Sequence, residues 1–570
     1  MEKAYTLPAA RQDWAVWQEA LPKNLFTGDQ QLIGALQRLA GPRLADYHSQ
    51  LARVGGESAQ LAPFVEELER EENLPQLSPC DAFGNPTQAV HFSPLWEKVG
   101  RVFWGSGCLS LLAQPGQELF AGSLLYLLDQ MGEAGQACPV ACTAGAIKLL
   151  QQVGSPGQKE RYLPALLSDQ WENRLHAAQF VTEAQGGSDV GANEVRAVPD
   201  PQHPGWFRLE GEKWFCSVAD AGLFVVSARP PGAAPGTKGL ALFLVPRFWE
   251  GKPNGFTLRR LKWKLGTRSL ATGEVEFSGS VAEPISPLDR GFRHLVGIVL
   301  DTSRVHNTLA AAAFLRTAEV WASTYARHRK AFGQPIGRFP EVSRTLSLLR
   351  LRRVTALLTA LRLLAMTDAL ATSPNEKLGA ARRLSVMLAK YWTSRWATWG
   401  VRDAIEVLGG NGTIEDFSPL PRLYRDAIVL EAWEGSHNTL CAQVVRDMAV
   451  RGLGWPWLAQ LEEELAAVEH PALSQLKGAT QELLTRLRGR LQKVVALGEG
   501  AAGSWVRSIA DVCCQATDLV VLLTQASWEL SQGLESQLAD LAALYWEVEL
   551  QKGDPFEDET LAARLLRLGG

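Results

Sequence analysis

What this chain lacks narrows its chemistry first. It carries almost no charge excess: 57 Lys and Arg stand against 61 Asp and Glu, a net charge of −4 over 570 residues. The molecule as a whole therefore has no strong attraction for nucleic acid or an anionic membrane, and any such partner has to be met by a local patch. No uninterrupted apolar run reaches the ~20 residues that a membrane span needs, so no membrane partner is expected. The eight cysteines are scattered. Cys138 and Cys142, four apart on an apolar helical stretch with no His or further Cys nearby, are expected to be structural, and no metal is expected. The opening Met1-Glu-Lys-Ala-Tyr5 has neither a charged n-region nor an apolar h-region, which points to a reducing, cytoplasmic location.

What is present describes an ordinary globular protein: 46% apolar and 21% charged residues, with length for three or four domains. From Trp14 to about Leu167 apolar residues recur mostly at helical spacing, as in Ala144–Val153, with Pro and Gly breaking the helices. A helical domain is expected over 1–177. Near Gln179 the texture changes to short β-rich runs, Leu223–Ser227, Leu240–Val245 and Glu274–Phe277, separated by turns such as Pro230-Pro-Gly232 and Pro235-Gly236. These predict a small β domain over 178–287. Long periodic helices return through His306–Ala326, Phe339–Thr367, Glu376–Leu408 and Thr439–Arg451, marking a helical bundle over 288–453. A further helical segment fills 454–570. The class is α+β, mainly α.

One stretch invites a chemical reading. Ala432-Trp-Glu-Gly-Ser-His-Asn438 puts a carboxylate on a Gly-flanked turn, about two dozen residues after the glycine cluster Leu408-Gly-Gly-Asn-Gly412. A flavin enzyme that removes a proton beside a carbonyl needs such a carboxylate, in apolar surroundings that raise its pKa towards neutrality. Glu434 is the candidate base.

Seven local sequences, in order, carry a family resemblance: Gly157–Pro164, Val181–Asp189, Lys213-Trp214, Lys264–Arg268, Arg329–Gly333, Leu408–Gly412 and Arg425-Asp426. Over roughly residues 140 to 450 the chain resembles the acyl-CoA dehydrogenase family. Within it, Thr182–Asp189, Trp433–Ser436, Pro421–Arg425, the segment Asp81–Trp96 and the C-terminal extension are similar to the alkylation-response, AidB-like subgroup. The resemblance implies an N-terminal helical domain, a middle β-barrel-like domain and a C-terminal helical bundle, here with an extra helical extension. It also implies non-covalent FAD, an acyl-CoA substrate, a homo-oligomer (dimer or tetramer) and an electron-transferring flavoprotein as electron acceptor. In that chemistry the base takes a proton from Cα and a hydride passes from Cβ to flavin N5. Some relatives carry the base just before the Arg of an Asp-x-x-Arg motif; here that position is Ser303, which cannot serve. Asp301 and Arg304 resemble the family's substrate-contacting pair.

A flavin ring is a flat apolar plate with polar edges, so its site needs an aromatic wall, donors and close backbone approach. Trp214 is the candidate wall, the alternative being a core aromatic, and Thr182 and Ser188 offer hydroxyls. The family usually has Thr two residues after the Trp; here Cys216 stands there, and a thiol donates poorly, so the contact is assigned to Ser217. By resemblance Arg329, Phe332 and the Gly409-Gly410 turn reach FAD across the dimer, and Asn438 is placed with the cofactor. Glu406 and Pro340 are further departures, each expected to weaken a contact to the pyrophosphate or adenosine. His437, three residues beyond Glu434, is expected at the surface of the capping turn, the alternative being that it tunes Glu434.

The extension supplies a rival function. Lys477, Arg486, Arg488, Arg490 and Lys493 face only Glu482 among acids over 472–493, and in the AidB-like group a basic region of this extension is associated with duplex DNA. The arginine spacing spreads the charges around a helix, and no groove-reading motif accompanies them. Two functions stand: an FAD-dependent acyl-CoA dehydrogenase, favoured by Asp301, Arg304 and Glu434, and a flavoprotein that binds DNA or a protein partner with little or no oxidation.

Overall fold

The computed structural model describes residues 9–132, 134–553, 555 and 557–569. Helices α1 (Ala9–Glu19), α2 (Gln30–Ala40) and α3 (Leu44–Leu68) lead to a hairpin of β1 (Gln76–Cys80) and β2 (Pro86–His91). Helices α4 (Pro94–Gly105), α5 (Glu118–Asp129), α6 (Ala134–Val153) and α7 (Pro156–Leu166) follow. Strands then take over: β3 (Ala177–Phe180), β4 (Arg196–Pro199), β5 (Phe207–Ser217), β6 (Leu223–Ala228), β7 (Ala241–Pro246), β8 (Phe248–Trp249), β9 (Lys252–Pro253), β10 (Phe256–Leu261) and β11 (Thr272–Pro284). After α8 (Gly291–His294) and α9 (Leu300–His328), a small hairpin of β12 (Lys330–Ala331) and β13 (Gln334–Pro335) precedes α10 (Pro340–Thr372), α11 (Glu376–Leu408), α12 (Leu420–Ala432) and α13 (His437–Ala449). The extension is α14 (Gly454–Ala466), α15 (Ser474–Ala502), α16 (Val506–Ser531), α17 (Leu538–Tyr545) and α18 (Glu559–Gly569). The α+β, mainly α class read from the periodicity is what the chain adopts.

These elements gather into two compact units: a mixed one of residues 61–128 and 132–306, and a helical one of residues up to Gln60, 129–131 and from Asn307 onward. The grouping cuts across the four textural segments, because α1 and α2 join the helical unit.

In the mixed unit the main sheet runs β3-β6-β7-β11-β5-β4, with β10 alongside β11. Its β3–β6 pair is parallel and the other pairs are antiparallel. All six residues of β6 are buried, as expected of a strand covered on both faces. The β1–β2 hairpin lies in a stretch read as helical. The Asp81 carboxylate accepts the Phe83 and Asn85 amides at 2.8 and 2.9 Å, an Asx turn that competes with helix. The Gln88 side chain accepts the Leu258 amide at 2.7 Å, fastening β2 to β10.

The helical unit is built on α10 and α11, each 33 residues long. Among the described residues α10 alone is long and apolar enough to cross a membrane, yet 72% of that window is buried; its apolar length lines a protein core. The extension packs on the same pair. Asp518 on α16 accepts hydrogen bonds from Trp392 Nε1 and Tyr545 Oη, both at 2.7 Å, and Arg362 holds Glu464 through contacts of 2.7–3.0 Å. The side chains of Ser343 and Arg350 on α10 donate to the last carbonyls of α18, which an isolated helix end would leave unsatisfied.

Candidate functional site

In the mixed unit the expected flavin loop is fastened from below. Lys213 on β5 is fully buried, and its Nζ donates to Glu183 Oε1 at 2.7 Å, Val181 O at 3.1 Å and Ser227 Oγ at 3.2 Å. Burial lowers the pKa of this ammonium and the Glu183 carboxylate works against that. Glu183 also accepts the Val195 amide at 3.2 Å, and the Trp214 amide donates to Thr182 O at 2.9 Å. A side chain at Gly187 would displace the Thr182 hydroxyl, because a Cβ would lie 2.6 Å from Thr182 Oγ1. Thr182 is half-buried and Ser188 exposed.

Strand alternation turns Trp214 away from the core that receives Lys213. A register shift between Gly273 and Val275 on β11 lies opposite this part of β5 and returns Cys216 to the interior, where burial pushes its thiol pKa up. Ser217 remains half-buried and meets Thr272 Oγ1 at 3.2 Å, a hydroxyl that also accepts from Lys264 Nζ at 3.0 Å. Lys262 Nζ stands 3.5 Å from the centroid of the Trp214 ring and pairs with Glu274 at 2.7 Å, so the indole lies against a cation. Asp301 is half-buried and Arg304 buried in the opening turns of α9, just after a π-helical turn over Leu295–Val299. Such turns recur at functional sites. Ser303 is occupied structurally: its hydroxyl donates to Val299 O at 3.2 Å and accepts from Gln179 Nε2 at 3.0 Å.

The helical unit holds the rest. Glu434 sits half-buried between α12 and α13 with φ +56°, and Gly435 follows at φ +101°. A non-glycine residue held left-handed costs of order 1–3 kcal/mol and persists only where its surroundings over-determine it. Lys390 on α11, fully buried, supplies part of that constraint by donating to Glu431 O at 3.1 Å and Gly435 O at 2.8 Å. His437 corrects the sequence expectation. It is buried rather than on the surface, with Nε2 3.2 Å from Ser394 Oγ and Nδ1 3.5 Å from Glu431 Oε2. Burial, with Lys390, Arg507 and Arg395 nearby, lowers its pKa to about 3, leaving a neutral imidazole. Asn438 accepts from Arg507 Nε of the extension at 3.1 Å.

The β12–β13 hairpin turns at Phe332 and Gly333, both with positive φ, and leaves the Phe332 ring 97% exposed. Arg329 is half-buried at its base, its carbonyl accepting the Ile336 amide at 2.8 Å. Gly409 and Gly410 are exposed, with open space where side chains would be. Pro340 is the first residue of α10, where a missing N–H costs nothing.

Family models match between residues 18 and 449: the acyl-CoA dehydrogenase middle domain over residues 178–280, the acyl-CoA dehydrogenase C-terminal domain over 289–449, and the adaptive response protein AidB N-terminal domain over 18–173. The chain is 33% identical over 456 residues to the putative acyl-CoA dehydrogenase AidB of Escherichia coli, covering 76% of this chain and 80% of that one. The chain belongs to the acyl-CoA dehydrogenase family. It is also 29% identical to acyl-CoA dehydrogenase family member 11 of Caenorhabditis elegans, over 88% of this chain and 84% of that one. The crystal structure of C. elegans ACDH-11 in complex with C11-CoA superposes with a TM-score of 0.84 at 25% identity, covering 95% of this chain and 93% of that one.

Membership makes FAD the cofactor and an acyl-CoA the substrate class. The residues of the mixed unit fit the flavin: a half-buried indole for its plate, half-buried Thr182 and Ser217 with hydroxyls for its edge, and a loop glycine that leaves the Thr182 hydroxyl its room. Two of the five extension cations are already engaged, since Lys477 Nζ donates to Ala466 O and Val468 O at 3.1 and 2.7 Å and Arg488 pairs with Glu462 at 2.6 Å. Two lysines escaped sequence reasoning, Lys262 and Lys390. The signal for Lys390 was a lone cation inside the stretch Leu384–Ser394.

Proposed function

We propose that this acyl-CoA dehydrogenase oxidises the Cα–Cβ bond of an acyl-CoA thioester with Glu434 as the base. The supporting observation is the backbone of Glu434: a left-handed residue on a turn between two helices, with a buried lysine tied to the carbonyls on both sides of it. Strain of this kind is found where a side chain must be aimed. Glu434 takes the Cα proton; FAD, held by the residues named below, would supply the acceptor for the hydride leaving Cβ. Trp214, Thr182, Ser188 and Ser217 are assigned to the flavin, and Asp301 and Arg304 to the substrate. Arg329, Phe332, Gly409 and Gly410 are assigned to the cofactor of a second copy, in a homodimer or homotetramer; the exposed Phe332 tip supports this. Asn438, engaged by Arg507, is assigned to the cofactor end of the same turn. A cytoplasmic location and an electron-transferring flavoprotein as oxidant complete the reading.

Rapid mixing of the FAD-loaded protein with a panel of acyl-CoAs, C11-CoA among them, tests it by flavin bleaching. Glu434→Gln keeps volume and polarity but loses the basic lone pair. It is expected to bind FAD and acyl-CoA while bleaching ~10²–10⁴ times more slowly. Bleaching at the wild-type rate would mean that another group takes the proton.

A further inference from the structure

Lys390 lies in the middle of α11, between Ala389 and Tyr391, with no exposed surface. An ammonium removed from water has to find acceptors, or its burial costs several kcal/mol. Two of its acceptors belong to one short stretch of backbone. Glu431 O is in the last turn of α12, where carbonyls lack helical partners and the helix dipole is negative, and Gly435 O comes directly after Glu434. A single Nζ thus ties the carbonyls on both sides of the candidate base, and the φ of +56° at Glu434 is held between those two ties.

We infer that Lys390 is a positioning residue for the base: it fixes the strained turn that aims Glu434 and holds its positive charge against the carbonyl of the next residue. The inference rests on the assignment of Glu434 made above. Other charged or titratable groups crowd the same region, namely Glu431 on α12, His437 and Cys441 on α13, Tyr391 and Arg395 on α11, and Arg507 and Asp511 on α16. His437 stays neutral through the working range, with a pKa near 3. Tyr391 Oη donates to Asp511, and Arg395 stands 3.5 Å from the same carboxylate. Lys390 differs from all of these in gripping the turn's own backbone on both sides of residue 434.

The test uses the full-length, FAD-loaded protein. Flavin content, acyl-CoA affinity from perturbation of the flavin spectrum, and the limiting bleaching rate against pH are measured for Lys390→Met and Lys390→Gln. Lys390→Met is expected to keep flavin and acyl-CoA binding and to lower the limiting rate about 10²-fold, the scale of a small misplacement of a reacting group. Its acid limb moves to higher pH, because the lost positive charge no longer favours the carboxylate. Lys390→Gln retains a donor for the carbonyls, so it recovers much of the rate but keeps the displaced limb. A purely structural lysine gives the opposite pattern: less bound flavin, with the rate per bound flavin and the acid limb unmoved. That pattern overturns the inference. If Lys390→Met does not fold, the limb of Lys390→Gln decides alone. Glu434→Gln is run alongside. Wild-type bleaching in that variant removes the base and the role of Lys390 together, whereas a dead Glu434→Gln beside normal Lys390 variants removes only the positioning role.

Discussion

Two fully buried lysines, one in each unit, lie beneath the loops that carry the residues assigned to the site, and they are satisfied differently. Lys213 meets a carboxylate, Glu183, at 2.7 Å and fastens the Thr182–Asp189 loop through that pair. Lys390 meets the backbone carbonyls of the Glu434 turn. In the β domain, ion pairing makes a rigid platform, and Glu183 itself carries further backbone contacts. In the helical unit the lysine grips the chain directly at a strained residue. The first arrangement is about stability and the second about aim.

The largest stability effect should follow from breaking the ion pair. Lys213→Met leaves the Glu183 carboxylate buried without its cation, a loss that costs roughly 3–5 kcal/mol, while Lys390→Met leaves carbonyls short of a donor at about 1–3 kcal/mol. Denaturant unfolding of both variants measures the difference. The double variant Lys213→Met, Glu183→Met should recover more than half of the loss, because apolar replacement of both partners removes the stranded charge. Equal costs for the two single lysine variants would erase the contrast.

A buried acid in the extension sharpens it further. Asp518 accepts from Trp392 and Tyr545 in an interior that pushes its carboxyl pKa up to about 8, and desolvation is the first cause. Its folded pKa therefore lies above its unfolded one. The stability it contributes is fully present below about pH 4 and drains away as pH rises towards 8. Asp518→Asn, uncharged at every pH, should flatten that slope and gain in stability on the wild type as pH rises towards 8. Chemical denaturation between pH 5 and 8 checks it, and parallel pH profiles for the two proteins would sink the assignment.

The contrast also shows what a sequence can carry. Short β-rich runs marked β6, β7 and part of β11, and helical periodicity marked the long helices after Leu300, whereas β3, β4 and β10 had no run of their own in the sequence reading. Motif order marked the Val181–Asp189 loop and the Glu434 turn. Tertiary satisfaction of buried polar groups was not legible. The apolar stretch around Lys390 hints at burial, but nothing local names its acceptors until α11 is packed against the α12–α13 turn, and His437 read as a surface cap because Ser394 lies 43 residues earlier in sequence. The β1–β2 hairpin was missed because the Asp81 turn and the Gln88 tie to β10 are not periodic signals.

The smallest effect concerns the extension's cations. Net charge is −4, Lys477 caps carbonyls and Arg488 is held by Glu462, so Arg486, Arg490 and Lys493 carry most of whatever attraction for a duplex exists. A few such contacts support only non-specific binding, with dissociation constants of roughly 10⁻⁴–10⁻⁶ M at physiological salt, weakening steeply as salt rises. Replacing Arg486, Arg488 and Arg490 by Glu should abolish that binding and leave flavin content and bleaching unchanged. The stability loss from the exposed Arg488–Glu462 pair should stay under about 1 kcal/mol. Fluorescence anisotropy of a labelled duplex across a salt series reads the outcome. Sub-micromolar binding by the wild type at physiological salt, lost in the triple variant, would raise DNA recognition above acyl-CoA oxidation as the function of this chain, because three surface charges on a net-negative protein do not reach that affinity without a dedicated site.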